Sequence, residues 1–388
     1  MLRTPKSAKV SIIQEATSRK FDGGLNVSDS ELNLSSRYAR DLNNMLVGLD
    51  GSLQIRQGCK LFCDLSVFDT HHITGLAYFA TYIIAFAHNS DIFAIDGQGT
   101  AIKIWSAEIA AAKRAGLTVW SHTHSLTFLE FNGELLISNG NDKPLVITTG
   151  LIVDYLADVA TGSNINVPIG YLMEKFSNHV IIADGSTIYV SERNAAGTWE
   201  SDAGAQFVNH FDMKTYVTSG DTTITGLLAF KGYLLVMFQE CTIPVQFVED
   251  AAATPKLALT VSPDSIIASY GAISPKAQQD IGDAALSCDI VGVTSIALSR
   301  FTKILSPDRP SRFIDPLLQK EIARLSSTTL HDDSFSIYHR KLSMYMLFLP
   351  NDHEPYQTAS TAYCYRFIDR LNLEAWTKFT GWNWHCGT

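Results

Sequence analysis

One pattern restricts this chain more than any other: short β-rich runs separated by tight turns recur at an interval of roughly fifty residues. The runs begin at Ile73, Leu126, Tyr171, Ile224, Asp283 and Phe335. ITGLAYFATYIIAFAHNSDIFAIDG, LTFLEFNGELLISNGNDKPLVITTG and YLMEKFSNHVIIADGSTIYVSE each read as strand, turn, strand, turn, strand. Gly and Asn at Asn132-Gly133, Asn139-Gly140, Asp184-Gly185 and Lys231-Gly232 supply the positive φ that hairpins need. Aromatic and β-branched residues fill the flanks. A unit of this length holding about four strands is the sequence sign of a propeller, whereas a sandwich needs no such repetition. The expected fold is all-β: a six-bladed β-propeller with an extended N-terminal arm and short inserted helices.

Two helices are expected, AEIAAAKRAG over 107–116 and IDPLLQKEIARLSS over 314–327. The three prolines of SPDRPSRFIDP (306–316) predict an extended, exposed link. A ring of blades must hide its edges. GSLQIRQGCKLF (51–62) alternates like a strand, and the aromatic C-terminal LEAWTKFTGWNWHC, with Trp376, Trp382 and Trp384, reads as its partner. The chain then divides into a docking arm, 1–50, and a propeller, 51–388, closed by that pairing. Removing residues 1–50 is expected to leave the propeller folded.

Of 388 residues, 30 are Lys or Arg and 39 Asp or Glu, for a formal net charge of −9. No polybasic run exists to neutralise phosphates, which argues against a DNA-gripping surface, although an acidic wall permits DNA to slide past. Six cysteines without a CxxC read as reduced thiols of a protein made in a cytoplasm. No signal-peptide core and no apolar run long enough to span a bilayer is seen, so no membrane insertion is expected.

No catalytic constellation emerges. Phosphate-binding loops of the GxxxxGK[ST] or GxGxxG type are missing, as is a GxSxG elbow. His71-His72, His122 and His124, and His385-Cys386 lack the convergent spacing of a zinc site, and the acids Asp332-Asp333 read as solvated. SERNAAGTWE (191–200) approaches the turn-stabilising Asp-box of sialidase-like propellers, but Asn194 stands at the acid position. No enzyme activity, cofactor or metal is expected.

FDGGLNVSDSELNLSSRYARDLNNMLVGLDGSLQIRQGCKLF (21–62) resembles the opening of tail hub or nozzle proteins, also described as packaged-DNA stabilisation proteins, of short-tailed bacteriophages. STIYVSERNAAGTWE with the following FVNHFDMKTYVTSGDTTITGLLAFKGYLLVMFQECTIPVQF, and GAISPKAQQDIGDAALSCDIVGVTSIAL, are similar to later units of that family. The resemblance implies a structural virion protein in the tail. It implies a homohexamer, a six-fold ring beneath the portal-adaptor (head–tail connector), touching other tail proteins and surrounding the path of genomic DNA during ejection.

On that reading the polar N-terminal segment docks a neighbouring subunit or the adaptor through Phe21, Asn26, Arg37, Arg40, Asp41, Asn44, Asp50 and Arg56. The competing reading is a glycan-binding or glycan-hydrolysing propeller, a receptor-binding tail protein or lectin. There Trp382, Trp384 and Tyr78 would stack on sugars. WD and kelch signatures do not recur.

Overall fold

The computed structural model describes residues 20–68, 73–106, 108–109, 126–156, 167–199, 209–217, 220–249, 257–261, 265–299, 304–326, 333–351, 360–368, 371, 373–382 and 386–387. Among them, six antiparallel sheets follow one another along the chain, at 73–105, 127–155, 172–212, 226–260, 278–308 and 335–382. In each, four consecutive strands pair in sequence order as a meander. From the second sheet to the sixth, the first strand of each sheet neighbours the first strand of the next. Ala77, Phe128, Glu174, Leu228, Gln279 and Ser336, one from the first strand of each sheet, line a common cavity. First strands gathered round an axis with the later strands radiating outward define a β-propeller.

The hydrophobic pattern explains the radial stacking. In the second sheet Leu135, Ile137, Leu145 and Ile147 pack against the first sheet, and the alternate residues Leu136 and Val146 against the third. The third sheet repeats this: Val180 and Ile182 turn one way, Ile181, Ala183, Ile188 and Val190 the other. Period-two alternation with both faces buried is why these strands read as continuous apolar runs. The hairpins turn where the Gly-Asn signals stand: Asn132, Gly133, Gly140, Gly185, Lys231 and Gly232 all have positive φ. Ala80-Thr81 turns the same way without any turn-forming residue type.

Several expectations change. The fifth sheet begins at Gln278, not Asp283, because its first strand, Gln278–Asp280, is polar and carries no apolar signal. The proline-rich link is only partly exposed. Leu305–Asp308 is the fourth strand of the fifth sheet, and Ser311 and Ile314 are fully buried beside the helix Asp315–Ser326. That helix confirms the second helical expectation; the first, over 107–116, lies largely outside the described residues.

The closing strand also differs. The C-terminal sheet takes four of its six strands from 335–382. Leu53–Ile55 pairs instead with Met45–Val47 in a hairpin of its own. The segment that joins the C-terminal strand Leu373–Trp382 is Gly24–Leu25, running parallel to it with Gly24 opposite Trp376, and Tyr38–Ala39 pairs parallel beyond. Residues 21–50 are therefore part of the folded body: Leu25 (2 % exposed) and Leu42 (3 %) share a core with Leu286, Tyr345, Leu347 and Trp376. The segment has too few apolar residues to fold alone, but those it has are spent against the sixth sheet.

Candidate functional site

The residues expected to dock a partner are mostly occupied within the chain. Asn26 is fully buried; its Oδ1 accepts from the backbone N–H groups of Ser28 and Asp29, and its Nδ2 donates to Asp29 at 2.9 Å. Phe21 donates its backbone N–H to Gly51. Arg37 pairs with Asp22 at 2.8 Å, which holds the Asp22 carboxyl below its usual range. Arg40 donates to the Val27 carbonyl at 2.9 Å, and Asp50 accepts from the Ser52 hydroxyl at 2.6 Å.

Asn44 and Arg56 meet. The Arg56 Nε donates to Asn44 Oδ1 at 2.7 Å, its Nη2 to the Thr380 carbonyl at 3.2 Å, and its guanidinium lies over Phe379. The pair clips the segment to the C-terminal strand. Asp41 is exposed. Within the chain these residues act as an internal brace, a role that Arg forks and Asn amides serve as well as they serve docking.

What this segment does present is apolar. Leu49, Ile55, Leu61, Phe62 and Val67 are all exposed. Just beneath, Leu65 with Cys63 and Phe68 covers the face of the first sheet turned away from the second, and Phe68 meets Phe93 at 5.1 Å between ring centroids.

The second site is the axial cavity of about 400 Å³, which sequence reasoning did not find. Its walls are the innermost strands, and its polar groups include Glu174, Lys276, Gln278, Gln279 and Asp280, joined by Cys386. Glu174 accepts from the backbone N–H of Lys175 at 2.9 Å. Its carboxyl is pushed up to about 7, above all by desolvation, with the charge of Asp280 adding to it and backbone N–H groups opposing. Burial lowers Lys276, whose ammonium stands 5.8 Å from the Phe128 ring centroid. The Cys386 thiol is pushed up to about 11 by desolvation and donates to the Ile73 carbonyl at 3.6 Å. One signal was legible: Glu174-Lys175 interrupts an otherwise apolar strand, whereas Gln278-Gln279-Asp280 is polar throughout and offers no such contrast.

Asp333 is exposed beside the innermost strand of the sixth sheet and contributes to the field at Lys276; Asp332 lies outside the described residues. So do His71, His72, His122, His124, His385 and Trp384. Tyr78 is exposed, and Trp376 is buried, stacked on Tyr365 at 4.9 Å. Among the described residues no three His, Cys, Asp or Glu converge as metal ligands. SERNAAGTW (191–199) forms a compact turn: Glu192 donates its N–H to the Thr198 carbonyl, and the buried Trp199 indole donates to Ala196 at 2.9 Å.

The class is a β-propeller, on its own sheet order and axial packing. No family model matches the chain, and no curated protein matches it. Among solved structures, it is similar to PorZ, a surface component of the type-IX secretion system of Porphyromonas gingivalis. That likeness has 10 % identity and a TM-score of 0.38, covering 80 % of this chain and 38 % of PorZ. The WD40 domain of SCAP from fission yeast is similar at 8 % identity and TM-score 0.36, over 81 % of this chain and 77 % of that one. YCF48, solved with a D1 peptide, is similar at 10 % identity and TM-score 0.34, over 80 % and 82 %.

Proposed function

We propose that this chain is a structural subunit of a phage tail nozzle: a six-bladed propeller assembling as a six-fold ring below the portal-adaptor, around the path of the genome. The observation that supports this best is the set of exposed apolar residues, Leu49, Ile55, Leu61, Phe62 and Val67, within and just beyond the segment that resembles nozzle proteins. Leu49 and Ile55 flank the hairpin braced onto the sixth sheet, Leu61, Phe62 and Val67 belong to the stretch that reaches the first sheet, and exposed apolar side chains are what a neighbouring subunit covers. The net charge of −9 agrees with a conduit wall that repels phosphate.

The test is particle imaging of the purified chain and of the Phe62→Asp/Leu61→Asp variant. A six-fold ring for the parent and monomers for a folded variant support the nozzle. A parent that remains monomeric both alone and with adaptor refutes it. Turnover or strong binding on a glycan array by the monomer would instead favour the glycan-directed reading.

A further inference from the structure

Leu61 and Phe62 are 75 % and 53 % exposed where the chain crosses from the sixth sheet to the first. Behind them Arg56 holds the Thr380 carbonyl of the sixth sheet. Ahead of them Leu65 packs on the first sheet, and the Phe62 carbonyl lies against Gly99 in that sheet's last turn. The two side chains therefore project at the rim of the junction between sheets six and one. In a closed ring each contact joins two different surfaces of the chain, so a projection here needs a recess elsewhere on the same molecule.

Such a recess opens at the rim between the fourth and fifth sheets. The third strand of the fourth sheet, Cys241–Glu249, has its outer neighbour in two pieces. Ile267–Ala268 pairs with Cys241 and Thr242, and Leu257–Thr260 pairs with Gln246–Glu249. Among the described residues no strand covers Ile243, Pro244 and Val245 on that side, and a groove of about 590 Å³ lies there. Tyr233, Pro244, Ile266, Ile304, Leu305 and Pro307 line it, with Ile304 61 % exposed. Among the described residues no charged side chain lines this groove, whereas Glu174, Lys276 and Asp280 line the axial cavity, and Asp22, Arg37 and Glu374 the cleft between sheets five and six. Pro244 has no N–H to offer an added strand, so the gap suits apolar side chains.

We propose that Leu61 and Phe62 of each copy insert into this groove of the next copy, a contact that rests on the six-fold reading and specifies its interface. The angle between the two surfaces supports it. Six sheets round one axis stand about 60° apart, and the fifth and sixth sheets separate the groove from the projection, an angle of about 120°. A copy in a closed ring of six, with its own axis parallel to the ring axis, meets its two neighbours about 120° apart. A ring of three would need about 60°, and a straight filament about 180°. Insertion removes apolar surface from water on both partners and buries no charged side chain of the groove.

The experiment is oxidative cross-linking of the full chain carrying Phe62→Cys and Ile304→Cys, with Cys59→Ser and Cys63→Ser to silence the neighbouring thiols. Particle imaging of Ile304→Asp and Ile152→Asp accompanies it. Cross-linked species should climb to six copies and stop, and either new cysteine alone should give no ladder. Ile304→Asp should weaken ring assembly about tenfold or more, while Ile152→Asp, which changes an equally exposed residue of the second sheet, should leave it unchanged. Rings of the parent that give no ladder, or that persist in a folded Ile304→Asp chain, overturn the groove contact and leave the six-fold reading intact. A ladder ending at two copies, or a parent that forms no ring, overturns both. Should Ile304→Asp fail to fold, the cross-linking decides.

Discussion

Glu174 shows how much one position on an innermost strand can demand. Its carboxyl, ordinarily near 4.5, is pushed up to about 7 because protein surrounds it, with Asp280 on the neighbouring wall and Lys276 and Cys386 lining the same cavity. A raised carboxyl favours the folded state while protonated. Stability attributable to Glu174 is therefore complete below about pH 4.5 and is lost as pH rises to about 7. Glu174→Gln keeps an acceptor for the Lys175 N–H and carries no charge. Its melting temperature should exceed the parent's at pH 8, and the difference should shrink steadily towards pH 5. A difference independent of pH would mean that Glu174 acts through packing alone. In the sequence this position was visible only as a charge inside an apolar strand; nothing local says that the strand borders an axis.

Among elements, the segment 20–56 departs furthest from its sequence reading. Its polarity is real, yet Leu25, Leu42 and Val47 suffice to seat it on the sixth sheet, and Asn44 with Arg56 clips it there. Arg366 adds a further tie through the Val47 carbonyl. Gly24 is decisive: it has φ +72°, and a Cβ would lie 2.6 Å from the Trp376 backbone nitrogen. Gly24→Ala should cost at least about 2 kcal/mol in urea unfolding, from the left-handed backbone and the backbone clash together. Leu25→Ala should cost about 2–5 kcal/mol, because the methyl groups removed face a packed core. Deleting 1–50 would expose that core, so the deletion should lower the melting temperature sharply instead of leaving the propeller intact.

For the whole molecule, the interfaces between sheets are unequal. Each of the first five junctions is filled by one buried cluster drawn from both neighbours. The outward faces of the sixth and first sheets instead carry two separate clusters, Phe335, Met344, Met346, Phe348 and Phe379 on one, Ala85, Phe93 and Ile95 on the other. Among the described residues what links them is small: Cys386 reaches the Ile73 carbonyl, and Gly387 packs on Ile337 and Phe335. Less apolar area removed from water means weaker adhesion. Hydrogen exchange should accordingly show backbone amides of 73–79 and 335–339 opening before those of 135–137 and 180–183. Uniform protection across all four would contradict this ranking.

The sequence by itself determined the repeating unit. Turn residues fix where hairpins reverse, and apolar runs buried on both faces admit stacked sheets, so chain-local chemistry was enough to place five of six sheet starts to within two residues. Only the tertiary structure decided what those units enclose and how the ends are joined. Gln278, Lys276 and Glu174 become a site because strands from six sheets converge on one axis. Gly24, rather than the strand-like 53–55, meets Trp376 because only a glycine backbone can approach that closely. Local propensity reports on a few neighbouring residues; edge pairing and convergence depend on partners hundreds of positions away.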